Sequence, residues 1–179
     1  MTILMKAMMP VLIAGLMAAC NSGDTTKTAV VKDSVTAAPA PVAAAVRLKD
    51  DKLNAIYPHY VKLTAALING DVAAARIAGN AIATGAGEIA GSNAVAAAAA
   101  KITASADLEA QRNIYAGLSN DLIALVKKTG MDSGALYVAF CPMAMNDKGA
   151  SWLSAENEIR NPYFGEQMLT CGSVKETIQ

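Results

Sequence analysis

The chain has 179 residues, with 15 basic and 15 acidic side chains and a formal charge of zero. That length suits one domain with extensions. No basic face or Lys/Arg block stands out, so the sequence offers a nucleic acid nothing to hold.

The first stretch, "MTILMKAMMPVLIAGLMAAC", carries one positive charge (Lys6), an apolar run from Ala7 to Ala19 and small residues before Cys20. The run is shorter than the roughly 20 apolar residues that cross a bilayer as a helix, so residues 1–19 read as a signal peptide. The ending "MAAC" resembles the bacterial lipobox, with Met17 where that pattern prefers Leu. The resemblance implies that Cys20 is lipidated and anchors an exported protein to a membrane, facing the periplasm or the cell surface. An ordinary secretory signal cut elsewhere is the alternative. Residues 20–46, rich in Thr, Ser, Ala and Pro, read as the lipid anchor and a disordered tether.

A single helical domain is expected over 47–179. Leu53, Ile56, Tyr60, Leu63 and Leu67 recur at helical spacing, and Pro58 predicts a kink or a late start. Gly70 suits a left-handed helix end and Asp71 the cap of a second helix. The Ala-rich stretch that follows is weakened by Gly79, Gly85 and Gly87, small residues that permit close helix packing. Ser92 to Ser105 continues as helix, separate or joined. Asp107 caps a further helix with a stripe of Leu108, Tyr115, Leu118, Leu122 and Leu125, closed by Lys127, Lys128 and Gly130. The fold class expected is mainly α: an antiparallel bundle of three or four helices, its Tyr and Leu stripes forming core.

After Gly130 the helical period stops. "ALYVAF" is a short extended run into Cys141, Asn146 to Gly149 and "NPYFG" (Asn161 to Gly165) are turns, and the segment reads as a turn-rich Cys/Met cap. Tyr137, Phe140, Trp152, Tyr163 and Phe164, five of the eight aromatics, fall here, which places the ordered core toward this end.

The mature chain keeps two cysteines, Cys141 and Cys171, close in sequence to Met143, Met145 and Met168. In an extended strand Cys141, Met143 and Met145 would share a face, and Met168 and Cys171 stand one helical turn apart. Soft sulfur ligands select Cu(I) over hard cations. No histidine follows Cys141, against a blue-copper centre, and no four-Cys set exists for zinc or iron–sulfur. The lone histidine, His59, reads as a surface or packed side chain. The competing reading is a Cys141–Cys171 disulfide, which persists in an envelope compartment and leaves the methionines as gap-fillers.

The stretch "CPMAMNDKGASWLSAENEIRNPYFGEQMLTCGSV" resembles the C-terminal signature (136–174) of an uncharacterised bacterial envelope domain, a domain of unknown function. That family occurs as stand-alone lipoproteins and as the last domain of periplasmic adaptor subunits of copper/silver efflux pumps. The parts carrying the resemblance are "CPMA", "G-A-x-WLS", "I-x-NPYFG" and "ML-x-CG". Upstream, "ALINGD" and "QRNIYAGLS" resemble its helical half. The family's pattern takes in Cys141, Met143, Met168 and Cys171, and leaves Met145 and His59 outside. The resemblance implies heavy-metal traffic, with a membrane and an efflux adaptor or pump component as partners.

The expectation is therefore a lipid-anchored envelope protein that binds Cu(I) or Ag(I) through Cys141 and Cys171, with Met143 and Met168 as thioether ligands and Met145 auxiliary. The alternative is an interaction module with a structural Cys141–Cys171 disulfide. Enzyme activity is not expected, since one histidine assembles no Ser/His/Asp constellation and no carboxylate pair is distinctive.

Overall fold

The computed structural model describes residues 45–179. The signal peptide, Cys20 and the tether before residue 45 lie outside the described residues. The described chain opens with a two-residue strand, β1 (Arg47–Leu48), antiparallel to β2 (Met131–Ser133), with Leu48 opposite Met131.

Four helices follow: α1 (Asp51–Ile68), α2 (Val72–Ala86), α3 (Asn93–Ala104) and α4 (Leu108–Thr129). Each packs on the next in sequence, as short connections between antiparallel helices require. Asp71 and Asp107 cap α2 and α4, their carboxylates accepting from Ala74 N (2.9 Å) and Ala110 N (2.6 Å). Gly70 and Gly130 have φ of 69° and 85° at the ends of α1 and α4. α2 and α3 are separate helices, broken over 87–92. In the close packing of α1 on α2, a Cβ at Gly85 would lie 2.5 Å from Ile56 Cγ2.

The late start expected at Pro58 is overturned. α1 begins at Asp51 and runs through the proline. Two local devices hold its first turn ahead of Pro58. Asp50 accepts from Leu53 N at 2.8 Å, and Asn54 exchanges two hydrogen bonds with the backbone of Leu48. Pro58 itself is exposed, so the carbonyl it leaves unpaired falls on the solvent side.

The core is not concentrated at the C-terminal end. Leu53, Tyr60, Leu63, Leu67, Ile82, Val95, Ile102, Leu118 and Leu122 carry it through all four helices, because aliphatic stripes bury as well as aromatic ones. The aromatics link the helices to the C-terminal part. Tyr57, Tyr60, Tyr115, Tyr163 and Trp152 follow one another with ring centroids 5.6–6.3 Å apart.

The C-terminal part differs from a turn-rich cap. It is a three-stranded antiparallel sheet in the order β4-β3-β5, formed by β3 (Leu136–Cys141), β4 (Ala150–Ser154) and β5 (Ser173–Ile178). β5 is an edge strand with mostly exposed side chains, held by its backbone pairing to β3, so no apolar alternation announces it. No described helix is long and apolar enough to cross a membrane.

Candidate functional site

β3 delivers Cys141 at its last position, opposite Ala150 of β4, and buries it completely. On the other side of β3 the register sets Phe140 against Ser173. Cys141 therefore meets the turn that leads into β5, and Cys171 lies on that turn. The two sulfurs, 30 residues apart in sequence, stand 2.8 Å from each other.

Several groups hold the Cys171 turn in place. Cys171 N donates to Met168 O (3.0 Å), at the end of a short 3-10 helix over Gly165–Met168. Asn161 Nδ2 donates to Cys171 O (2.8 Å), while Asn161 Oδ1 accepts from Tyr163 N (2.8 Å). Asn161 is fully buried, and its backbone N–H donates to Leu169 O at 2.7 Å. The next residue, Gly172, fits tightly, since a Cβ there would lie 2.9 Å from Phe140 O and 3.0 Å from Trp152. The sequence marked Asn161 only as the start of a turn. The Asn-Pro pair was the available signal, but its long-range bond to Cys171 was not visible.

The methionines are placed differently from the strand expected. β3 ends at Cys141, and Met145, Asn146 and Asp147 take left-handed backbone angles (φ 56°, 54° and 62°) in a tight turn. The common face of Cys141, Met143 and Met145 therefore does not form. Met143, 45% exposed, and Met145 instead border a groove of ≈ 360 Å³ with Glu109, Asn113, Asp147 and Phe164. Neither cysteine nor Met168 lines that groove. Met168 stays one turn from Cys171. His59 lies on α1, bordering a groove between α1 and α2 with Lys62, Asn69 and Ile77.

The electrostatics of the pair are quiet. Among the described residues, the only hydrogen-bond partner of either sulfur is the other one. The hydrogen bond with Cys141, with burial and the neighbouring thiol charge adding to it, raises the Cys171 thiol above its ordinary value. An activated nucleophile would be shifted the other way by a cation or a helix N-terminus. No group of three or more His, Cys, Asp or Glu side chains gathers to hold a metal among the described residues.

The spacing can be compared with the two chemistries expected. A disulfide needs sulfurs about 2.05 Å apart, and non-bonded heavy atoms rest about 3.5–4.0 Å apart. With metal–sulfur bonds of about 2.3 Å, two sulfurs on a tetrahedral ion stand about 3.8 Å apart, and farther as the angle opens toward linear. At 2.8 Å the pair is set nearer to bond formation than to sharing an ion, and it does not fit Cu(I) or Ag(I) without opening.

The helical part is similar to a known family. Residues 56–134 match the sequence model of a family described as a protein of unknown function (DUF3347). The match ends before β3, so it takes in neither Cys141 nor Cys171. No curated protein and no solved structure matches the chain significantly. The likeness shown is thus to a domain of unknown function, over the helical bundle alone.

Proposed function

We propose that the chain is a non-catalytic, lipid-anchored envelope protein that takes up one soft cation, Cu(I) or Ag(I), through reduced Cys141 and Cys171. It would buffer the ion or pass it to a heavy-metal efflux component. The observation supporting this reading is the convergence of the two thiols, one sealed in the core and one half-buried, with no charged partner on either. Thiolates are soft donors suited to these ions. Met168, one turn from Cys171, is the thioether nearest in the chain's own hydrogen bonding. Met143 and Met145, bordering a separate groove, are auxiliary at most. The raised Cys171 thiol supports a non-catalytic role, since it works against nucleophilic attack.

The test is an anaerobic chelator-competition titration with Cu(I) on the reduced full chain carrying Cys20→Ser, beside the same chain with Cys141→Ser and Cys171→Ser. One equivalent bound tightly by the first and none by the second is the expected result. Equal uptake by both would reject the assignment. Ligand thiols must lose their protons to bind, so the apparent affinity should rise steadily from pH 6 to pH 8.

The short sulfur separation favours a second reading, an interaction module in which Cys141 and Cys171 form a permanent disulfide. Its docking face would be the exposed loop after β4, where Glu156, Glu158 and Arg160 border a groove of ≈ 160 Å³ against Val61 and Ile68 of α1. A mass lower by two hydrogens, with no ion taken up after reduction, would select it.

A further inference from the structure

We infer that the chain pairs with a second copy of itself through the groove between α1 and α2. The groove encloses ≈ 440 Å³ and is floored by alanines, among them Ala66 and Ala78, whose side chains stop at Cβ and leave a hollow. Ile77 stands on its α2 rim and is 74% exposed, more than any other large apolar side chain among the described residues. One exposed isoleucine is ordinary on a surface. Here, however, a knob and a hollow able to take it share one face, and no described part of the chain fills that hollow.

The charges on this face choose the occupant. Lys62 of α1 and Asp71, the cap of α2, both border the groove and both are exposed. Neither is in an ion pair among the described residues. Asp71 lies beside Asn69 at the end of the groove closed by the turn between the helices, and Lys62 stands about 10 Å back along α1. That is too far for the two to meet within one copy. A two-fold axis running across the groove midway between them exchanges their positions. Lys62 of each copy then meets Asp71 of the other, twice, and each Ile77 is brought onto the alanine-lined stretch of the facing groove. The patch is complementary to itself, as a two-fold contact between identical chains requires. A purely acidic or purely basic partner would match only one end of the groove. An anionic bilayer surface would be repelled by Asp71.

The pairing uses neither cysteine, so its failure and the failure of the soft-cation reading are separate results. The test is sedimentation equilibrium on the full chain carrying Cys20→Ser, kept reduced so that no disulfide links two copies. The expected result is a monomer–dimer equilibrium in the micromolar range, weakened at least 10-fold by Ile77→Glu and by Lys62→Glu, with circular dichroism showing both variants folded. Asp71→Asn, which removes the charge and keeps a capping side chain on α2, should weaken it as well. Lys62→Glu mixed with Asp71→Lys should associate more tightly than either variant alone, because each contact in the mixed pair again joins opposite charges. A chain that stays monomeric at the highest concentration reached overturns the inference. So does a dimer that Ile77→Glu leaves intact, since the contact then lies on another face. Mixed variants that associate no better than each alone overturn the two-fold arrangement.

Discussion

Arg112 is the buried charge that ties the helices to the sheet region. Its Nε donates to Pro162 O (3.0 Å), its Nη2 to Leu67 O (2.9 Å), and its Nη1 pairs with Glu109 at 2.7 Å. One planar group thus joins the end of α1, the start of α4 and the "NPYFG" loop. Gly165, close by, has φ 57°, and a Cβ there would lie 2.5 Å from Ile68 O and 2.8 Å from Arg112 Nη2. Removing Arg112 takes from Pro162 O its donor and from Leu67 O the shorter of its bonds, Gly70 N remaining at 3.4 Å. A buried carbonyl left unpaired costs about 1–3 kcal/mol. Arg112→Met should therefore lower the stability measured by urea unfolding by about 1–3 kcal/mol. Arg112→Lys should recover only part, since lysine lacks the fork that reaches both carbonyls. A midpoint unchanged in the Met variant would mean the clamp contributes nothing. Because this loop also carries Asn161, the same variant should loosen the turn that holds Cys171.

Among the elements, α1 and the turn after β3 both go against local preference. An interior proline costs a helix about 3 kcal/mol, yet α1 runs through Pro58. Seven further α1 side chains, from Leu53 to Ile68, are buried with Tyr57, and that burial outweighs the missing bond. Pro58 is exposed, so Pro58→Ala should restore a backbone bond without disturbing the core and raise stability by about 1–3 kcal/mol. A loss of stability instead would show that α1 needs the bend a proline imposes. The left-handed run Met145, Asn146 and Asp147 costs roughly 1–2 kcal/mol per residue against right-handed backbone. It turns Met145 away from the face of Cys141, which Met143 has already left where β3 ends. The thioethers of this short stretch consequently border a surface groove, while its thiol, Cys141, stays buried.

At the scale of the molecule, the interior is rich in phenols. Tyr60, Tyr115, Tyr57 and Tyr163 are all held above the ordinary tyrosine value, first by burial. Three have partners: Tyr115 Oη donates to Tyr60 Oη at 2.8 Å, Leu153 N donates to Tyr60 Oη at 3.0 Å, and Tyr163 Oη donates to Ser151 O at 2.6 Å. Tyr57 Oη has no partner among the described residues. A raised value means that the folded state keeps the proton when the unfolded chain has begun to lose it. The tyrosine contribution is therefore fully present below about pH 10 and is lost as pH rises from there toward the folded values. The melting temperature should thus carry no tyrosine-linked slope from pH 6 to 9 and should fall steeply above pH 10. Tyr57→Phe, which removes an unpaired buried hydroxyl, should match or exceed the parent's stability at pH 7 and lessen the alkaline slope. A variant as labile in alkali as the parent would place the effect on the other three.

The helical part of this protein was legible because its signals are local. Asp71, Asp107, Gly70 and Gly130 act within a turn of the chain, and the stripes from Leu53 to Leu67 and from Leu108 to Leu122 declare their buried faces by spacing. The tyrosine and leucine stripes read as core, and they are core except at Leu108 and Leu125, which are half-buried against it. Sequence alone also brought Cys141 and Cys171 forward as a pair, by their scarcity. It could not tell a start at Asp51 from one at Pro58, since the deciding bonds run from Asn54 back to Leu48. The sheet was decided by tertiary structure, because β5 is paired to β3 through backbone groups that every residue carries. That pairing, with the buried amide of Asn161, brings two sulfurs from opposite ends of the segment to 2.8 Å. A separation between atoms thirty residues apart is set by register and packing, and no periodicity in the chain encodes it.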